Sequence, residues 1–238
     1  MTPPARDVLL SVQATRQRVA NRPPATRKQV VTIMPKKSSR MVSVDRLVSH
    51  ACNGLHARHW YRDAVAQIDH VCWLEGWDRD EFTGVLAVTS PRCSVVRNIR
   101  MTLHFMKHRN DRVVPMKGIR KSLHKWLDRR VIDGPKTSAF YSNLSGCPDA
   151  VTLDVWMAYA LGIDQTEFSR VANRAKAIGR VVAVGERLGI TPAESQACIW
   201  TGYRSAAGRN DSPMSIASEY FAARERQWDV EGCSTDRD

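Results

Sequence analysis

The sequence lacks the cysteine pattern of a metal-binding or disulfide-rich protein. It contains no C-x-x-C pair and no Cys/His cluster at zinc-finger spacing. Its six cysteines are widely separated, at Cys52, Cys72, Cys93, Cys147, Cys198 and Cys233. We therefore expect free thiols, no structural metal and no bound cofactor.

Long apolar runs are also missing. No stretch approaches the roughly 18 apolar residues that a membrane-spanning helix requires, and no signal-peptide core follows the charged start. The sequence also has no internal repeat, no heptad run and no phosphate-binding GxxxxGK motif. These absences predict a cytoplasmic protein that does not bind membranes.

What the sequence does contain is positive charge. Its 36 basic and 24 acidic residues give a net charge of +12, which favours a polyanionic partner, with double-stranded DNA as the first candidate. Residues 1–40 hold nine of the basic residues and a single acid, Asp7, for a local net charge of +8. Because this stretch is also rich in proline, we predict a disordered basic arm over residues 1–41. The arm either grips phosphates or only keeps the protein soluble.

From residue 42 onward the apolar spacing is helical, which predicts an all-α domain over residues 42–228 and a frayed tail over 229–238. Capping residues predict individual helix starts at Asp78 with Glu81, Asp133, Asp154, Asp164 with Glu167, and Thr191 with Glu194. The predicted helices span residues 57–75, 78–88, 94–107, 117–130, 134–145 and 155–161, and another begins at Thr191.

Lys136 and Asp154 are the candidate catalytic pair, each at the start of a predicted helix. Backbone amides and the positive end of the helix dipole disfavour the charge of Lys136, which should lower the pKa of its amine and make it a better nucleophile. The carboxylate of Asp154 can orient that amine or stabilise positive charge that develops on a sugar. The alternative is that Asp154 only caps its helix and Lys136 is a surface residue.

The segments K-T-S-A, from Lys136, and A-V-T-L-D, ending at Asp154, resemble the helix-hairpin-helix DNA glycosylase superfamily, in particular the endonuclease III type. The resemblance implies that Lys136 is the Schiff-base lysine and Asp154 the essential aspartate of an enzyme that flips a nucleotide. It implies DNA contacts at the hairpin residues Gly134 and Thr137. The basic helix before the hairpin adds candidate contacts at Arg120, Lys121, Lys125, Arg129 and Arg130.

A second segment, Val85 to Arg92 with Asn98 downstream, looks like the L-L-S-x-Q-x-T segment and following asparagine of the same superfamily. The resemblance implies that Arg92 lies near the residue that fills the space left by a flipped base, and that Asn98 contacts DNA; otherwise Arg92 is an ordinary surface arginine. The hairpin itself departs from the family pattern. Of the usual L-P-G-x-G, only the second glycine remains, as Gly134.

Further short motifs are similar to glycosylase-fold proteins of bacteriophages. These motifs are A-x-x-S-P, G-P-K, V-T-x-D-x-W and T-P-x-x-x-Q-A-x-x-W, and they end here at Pro91, Lys136, Trp156 and Trp200. Some relatives of that type are proposed to build hypermodified thymines, and a phage origin would place the protein in a bacterial host. On this resemblance Trp156 and Trp200 line a base pocket; alternatively they belong to the core.

Three functions follow from these observations. The first is a DNA glycosylase that acts at the sugar C1′, with abasic-site lyase activity through Lys136. The second is a transferase of the same fold that modifies bases in phage DNA. The third is a DNA-binding module without catalytic activity.

Overall fold

The computed structural model describes residues 40–209 and 215–232, with side chains as far as Arg226. The predicted basic arm, apart from Arg40 and Met41, and residues 233–238 of the predicted tail lie outside the described residues. Within them every regular element is helical, with no strand, which confirms the predicted all-α class. No described helix is long and apolar enough to cross a membrane.

The α-helices follow one another with short connections. They are α1 (Val44–Asn53), α2 (Trp60–Glu75), α3 (Arg79–Thr89), α4 (Val95–His108), α5 (Lys117–Arg129), α6 (Pro135–Leu144), α7 (Val155–Leu161), α8 (Val171–Leu188), α9 (Pro192–Ala206) and α10 (Ile216–Gly232). Single 3₁₀ turns occur at Leu55–Ala57, Asp111–Val113 and Gln165–Ser169. The last helix therefore continues past residue 228, where the tail was predicted to begin.

The helices bury two separate apolar cores. The first core is formed mainly by α2 to α6 together with α10, around side chains such as Phe82, Ile68 and Leu123. The second is formed by α1, α7, α8 and α9, around side chains such as Leu47 and Met157. Lys136 lies on a helix of the first core and Asp154 begins a helix of the second. The predicted catalytic pair therefore sits where the two sets of helices meet.

Two glycines allow helices to approach backbone to backbone or backbone to ring. A Cβ at Gly202, on α9, would lie 1.9 Å from the carbonyl oxygen of His50, on α1. A Cβ at Gly84, on α3, would lie 1.9 Å from the Trp126 ring of α5. Both contacts require glycine, because real Cβ atoms essentially never come closer than 3.0 Å to another atom.

Most predicted helix starts are confirmed. Asp154 caps α7, which ends at Gly162 as predicted, and Thr191 with Glu194 forms the complete capping box of α9. Asp78 caps α3 by accepting from the amide of Glu81, but the Glu81 side chain instead pairs with Arg109 and Arg130. The box at Glu81 is therefore only half formed.

Two capping predictions are wrong in part or entirely. The cap of α6 is Gly134, which has no side chain to accept a hydrogen bond, whereas the Asp133 carboxylate accepts from Lys125 Nζ at 2.7 and 2.6 Å. The Asp133 carboxylate, which was predicted to cap α6, therefore binds the Lys125 ammonium instead. Asp164 caps only a 3₁₀ turn, and Glu167 binds Arg170 and Asn173 instead of reaching back.

Candidate functional site

Lys136 is the second residue of α6 and reaches back to the end of α3. Pro135 occupies the first helical position, where its missing N–H has no partner to lose, and Gly134 before it has φ of 90°. The Lys136 Nζ donates to the carbonyl oxygen and to the hydroxyl oxygen of Ser90, each at 3.3 Å. The amine is thereby fixed against the turn that follows α3.

Burial is the main influence on the Lys136 amine and lowers its pKa. The nearby Asp154 carboxylate, and to a smaller extent Cys93, act in the opposite direction and raise it. The direction agrees with the sequence-based expectation, although desolvation is the leading cause where the helix dipole was expected to be. A lysine that loses its proton more readily is better suited to nucleophilic attack.

Asp154 holds two hydrogen bonds through its two carboxylate oxygens. Oδ1 accepts from the backbone amide of Met157 at 2.9 Å, which caps α7, and Oδ2 accepts from Trp200 Nε1 at 3.0 Å. The two bonds tie the start of α7 to the middle of α9. They fix the carboxylate in position, where its charge raises the pKa of Lys136.

Trp156 and Trp200 share one neighbour, Arg204, whose guanidinium lies over both rings. The guanidinium carbon is 4.2 Å from the centroid of the Trp200 ring and 5.0 Å from that of Trp156, within cation–π range. Arg204 follows Trp200 by one helical turn, so both lie on the same face of α9. Burial lowers the pKa of Arg204, while the neighbouring Asp154 raises it.

Neither the cavity of about 520 Å³ nor the one of about 320 Å³ in the described part of the chain is lined by Lys136, Trp156 or Trp200. The smaller one lies beside α6, lined by Ser138, Val151 and Phe168 among others. Because Arg204 lies over both tryptophan rings, a base that stacked on the same ring faces would have to move this side chain.

Cys93 is the other nucleophilic side chain near Lys136. Burial raises the pKa of its thiol, and the positive charges of Arg97 and Lys136 oppose that effect without overcoming it. Since the thiolate is the reactive form, burial works against Cys93. The same physical effect favours Lys136, whose reactive form is the neutral one.

A buried polar network supports the chain that leads to Asp154. Asn143 Nδ2 donates to Thr152 Oγ1 at 3.2 Å, and the Tyr61 hydroxyl donates to Gln196 Oε1 at 2.6 Å. Burial raises the pKa of Tyr61 to about 12, so the hydroxyl keeps its proton. Bonded partners of this kind limit the movement of α2, α6 and α9 around the site.

Of the two DNA contacts predicted downstream of α3, Arg92 is exposed in the turn and Asn98 is buried in α4. Arg92 is exposed and adopts the left-handed conformation, with φ of 55°. Asn98 is buried: its Nδ2 donates to Leu86 O at 2.8 Å, and its Oδ1 accepts from the Thr89 hydroxyl at 2.7 Å. Asn98 is thus engaged in holding α3 against α4 and is not exposed for a direct contact.

The basic residues predicted to contact DNA before the hairpin differ in exposure and in ion pairing. Lys125 is bonded to Asp133, and Arg130 lies over the Trp126 ring at 5.2 Å as well as beside Glu81. Among the described residues, Lys121 and Arg129 are exposed and have no ion-pair partner, while Arg120 is half-buried. Thr137 is buried, with its hydroxyl donating to the carbonyl oxygens of Asp133 and Gly134.

Sequence reasoning did not identify three neighbours of the pair: Ser90, Arg204 and Tyr61. Ser90 belongs to the Val85 to Arg92 segment and to the A-x-x-S-P motif, neither of which predicts a contact with Lys136. The position of Arg204 four residues after Trp200 is a local signal that predicts contact on one helix face. Tyr61 reaches Gln196 across 135 residues, a separation that periodicity does not bridge.

The fold and the site together define an all-helical protein with a half-buried lysine and a helix-capping aspartate where two cores meet. The chain belongs to a family of unknown function, DUF7178, which matches residues 28–207. No curated protein and no solved structure matches it.

Proposed function

We propose that the protein is a DNA-binding enzyme of the base-excision type, related to the helix-hairpin-helix DNA glycosylases, that attacks the sugar C1′ of a flipped nucleotide. The observation that carries this proposal is the half-buried Lys136 amine, whose pKa is lowered by burial beside the Asp154 carboxylate. A chain with net charge +12 supports DNA as the substrate.

In the proposed reaction the neutral Lys136 Nζ attacks C1′ and the bond from C1′ to the base breaks. The base leaves with the bonding electron pair and takes up one proton of the amine. The bond from C1′ to the ring oxygen O4′ then breaks, O4′ takes up the second proton, and the imine forms between Nζ and C1′. The Asp154 carboxylate, whose charge acts on Lys136, stabilises the positive charge that develops on the sugar. Ser90, which accepts from Nζ, holds the amine in place before the substrate arrives.

The direct test is reduction with borohydride in the presence of DNA that carries abasic sites made by uracil excision. Wild-type protein is expected to form a covalent adduct, and Lys136→Ala is expected to form none. Lys117→Ala is the matched control, because Lys117 also lies at the start of a helix but is exposed. No wild-type adduct, or an equal amount of adduct with Lys136→Ala, removes Lys136 as the nucleophile.

One observation favours the alternative of a DNA-binding module without catalysis. Both carboxylate oxygens of Asp154 are bonded within the protein, as a purely structural cap requires. For such a module, the wild type and Asp154→Asn both bind DNA, and neither gives base release or trapping. Base release that depends on Asp154 excludes this alternative.

The third candidate, a base-modifying transferase, leaves intact and heavier nucleosides where a glycosylase leaves abasic sites. Mass spectrometry of nucleosides digested from DNA that was exposed to the protein and host metabolites separates the two reactions. Abasic sites without a new nucleoside rule out the transferase, and a new nucleoside without abasic sites rules out the glycosylase.

A further inference from the structure

The larger cavity is an open groove of about 520 Å³ between the start of α1 and α8. Three cations line it, Arg40, Lys176 and Arg180, together with apolar residues such as Ile163. Its carboxylate, Glu167, is held by Arg170 at 3.0 Å and by Asn173 at 2.5 Å. The groove therefore presents an excess of positive charge.

Arg180 also holds one wall of the groove in place through a hydrogen bond. Its Nη1 donates to the carbonyl oxygen of Val42 at 2.7 Å, and the amide of Val42 donates to Leu161 O at 3.0 Å. These bonds hold the chain that precedes α1 against α7 and α8, which brings Arg40 to the groove. The bond to Val42 uses one of the five N–H donors of the Arg180 guanidinium.

The excess positive charge of the sequence favours a polyanion as the occupant of this groove. Residues 1–40 carry a net charge of +8 out of the total of +12, and this stretch joins the described part of the chain at Arg40. Phosphodiester backbones bind positively charged surfaces through long-range attraction and release of counterions.

We infer that this groove binds the phosphate backbone of DNA, as a second contact separate from the Lys136 site. The inference rests on the proposed function for the identity of the polyanion. The two places are joined by α7: Asp154 caps its start, and Ile163, just after its end, lines the groove. A helix of seven residues is about 10 Å long, so the two places are near enough along α7 for one DNA duplex to reach both.

Gly179 offers a test that leaves the fold intact. It lines the groove on α8, and a Cβ at this position meets no atom within 4 Å. Gly179→Glu therefore adds a negative charge without a steric conflict, Gly179→Gln adds the same bulk without charge, and Gly179→Arg adds a positive charge. Lys176→Ala removes one of the existing cations.

The measurement is fluorescence anisotropy of a labelled DNA duplex with the full-length chain over a series of salt concentrations. We expect Gly179→Glu to weaken binding relative to Gly179→Gln, and Gly179→Arg to strengthen it. Lys176→Ala should make the slope of log K against log salt shallower by about 0.9, the value for one phosphate contact.

The outcomes separate this inference from the proposed function. If the wild type binds the duplex and the three Gly179 variants bind with equal affinity and equal salt slope, the groove does not contact DNA, whereas the proposed function stands. If the wild type does not bind DNA at all, the proposed function fails and the groove inference fails with it.

Discussion

The contact between α1 and α9 depends on Gly202, and replacing it with alanine should destabilise the protein strongly. The new Cβ would lie 1.9 Å from the carbonyl oxygen of His50, against a limit of 3.0 Å below which real Cβ contacts essentially do not occur. The two helices must therefore separate by about 1 Å. The opposing atom belongs to the backbone, so no side-chain rotation can relieve the clash.

The expected cost follows from overpacked cores, where an added methylene costs typically about 1–3 kcal/mol. Because the clash is with backbone, we expect the upper end, about 3 kcal/mol. For a protein of this size each kcal/mol lowers Tm by about 2–4 °C, so Gly202→Ala should lower Tm by roughly 6–12 °C. The neighbouring Gly54 makes the same contact from α1, since its own Cβ would lie 2.0 Å from the carbonyl oxygen of Cys198.

The assay is thermal unfolding followed by far-ultraviolet circular dichroism, with Gly179→Ala as the control. Gly179 lies inside α8 with open space at its Cβ position, so alanine there should stabilise the protein by about 0.5–1 kcal/mol. The two glycine-to-alanine changes should thus move Tm in opposite directions. A Gly202→Ala protein as stable as the wild type refutes the close approach of α1 and α9.

Three further predictions concern the site itself. Trp200→Phe removes the hydrogen bond to Asp154 but keeps an aromatic ring beneath Arg204, and should lower the free energy of unfolding in urea by about 1.5–3 kcal/mol, as for bonds to charged groups. Arg92→Gly relieves a left-handed residue and should raise stability by about 1 kcal/mol while reducing DNA affinity; unchanged affinity in the anisotropy assay would show that the side chain does not contact DNA. Asp154→Asn removes a negative charge that raises the pKa of Lys136, so the pH of half-maximal borohydride trapping should move to lower values, and a shift to higher pH would contradict the electrostatic coupling.

Local signals in the sequence predicted the helix starts best. Asp154 and Thr191 cap their helices because the acceptor and the amides lie within three residues of each other. The prediction failed at Asp133, where Lys125, eight residues earlier, binds the carboxylate. A capping rule does not include such a competitor, because the turn between α5 and α6 determines whether the ammonium can reach it.

For Lys136, the sequence predicted that the pKa is lowered but not the main cause of the lowering. Its position at a helix start is a local property, but the burial that dominates its pKa comes from packing against Ser90, which lies 46 residues earlier. The groove at Arg180 was not predicted, since the sequence assigned Arg40 to a disordered arm. Its formation depends on a bond from Arg180 to Val42, 138 residues away.

The two roles considered for Asp154, a helix cap and an electrostatic partner of Lys136, are compatible in this geometry. In the bonds to Met157 and Trp200 both carboxylate oxygens accept from neutral N–H groups, so the carboxylate keeps its negative charge. That charge still raises the pKa of Lys136 and acts on Arg204. A carboxylate fixed by two neutral donors is held at a constant position, and stabilisation of a transition-state charge depends on such fixed groups. The capping bonds therefore argue for a positioned charge as much as for a structural residue.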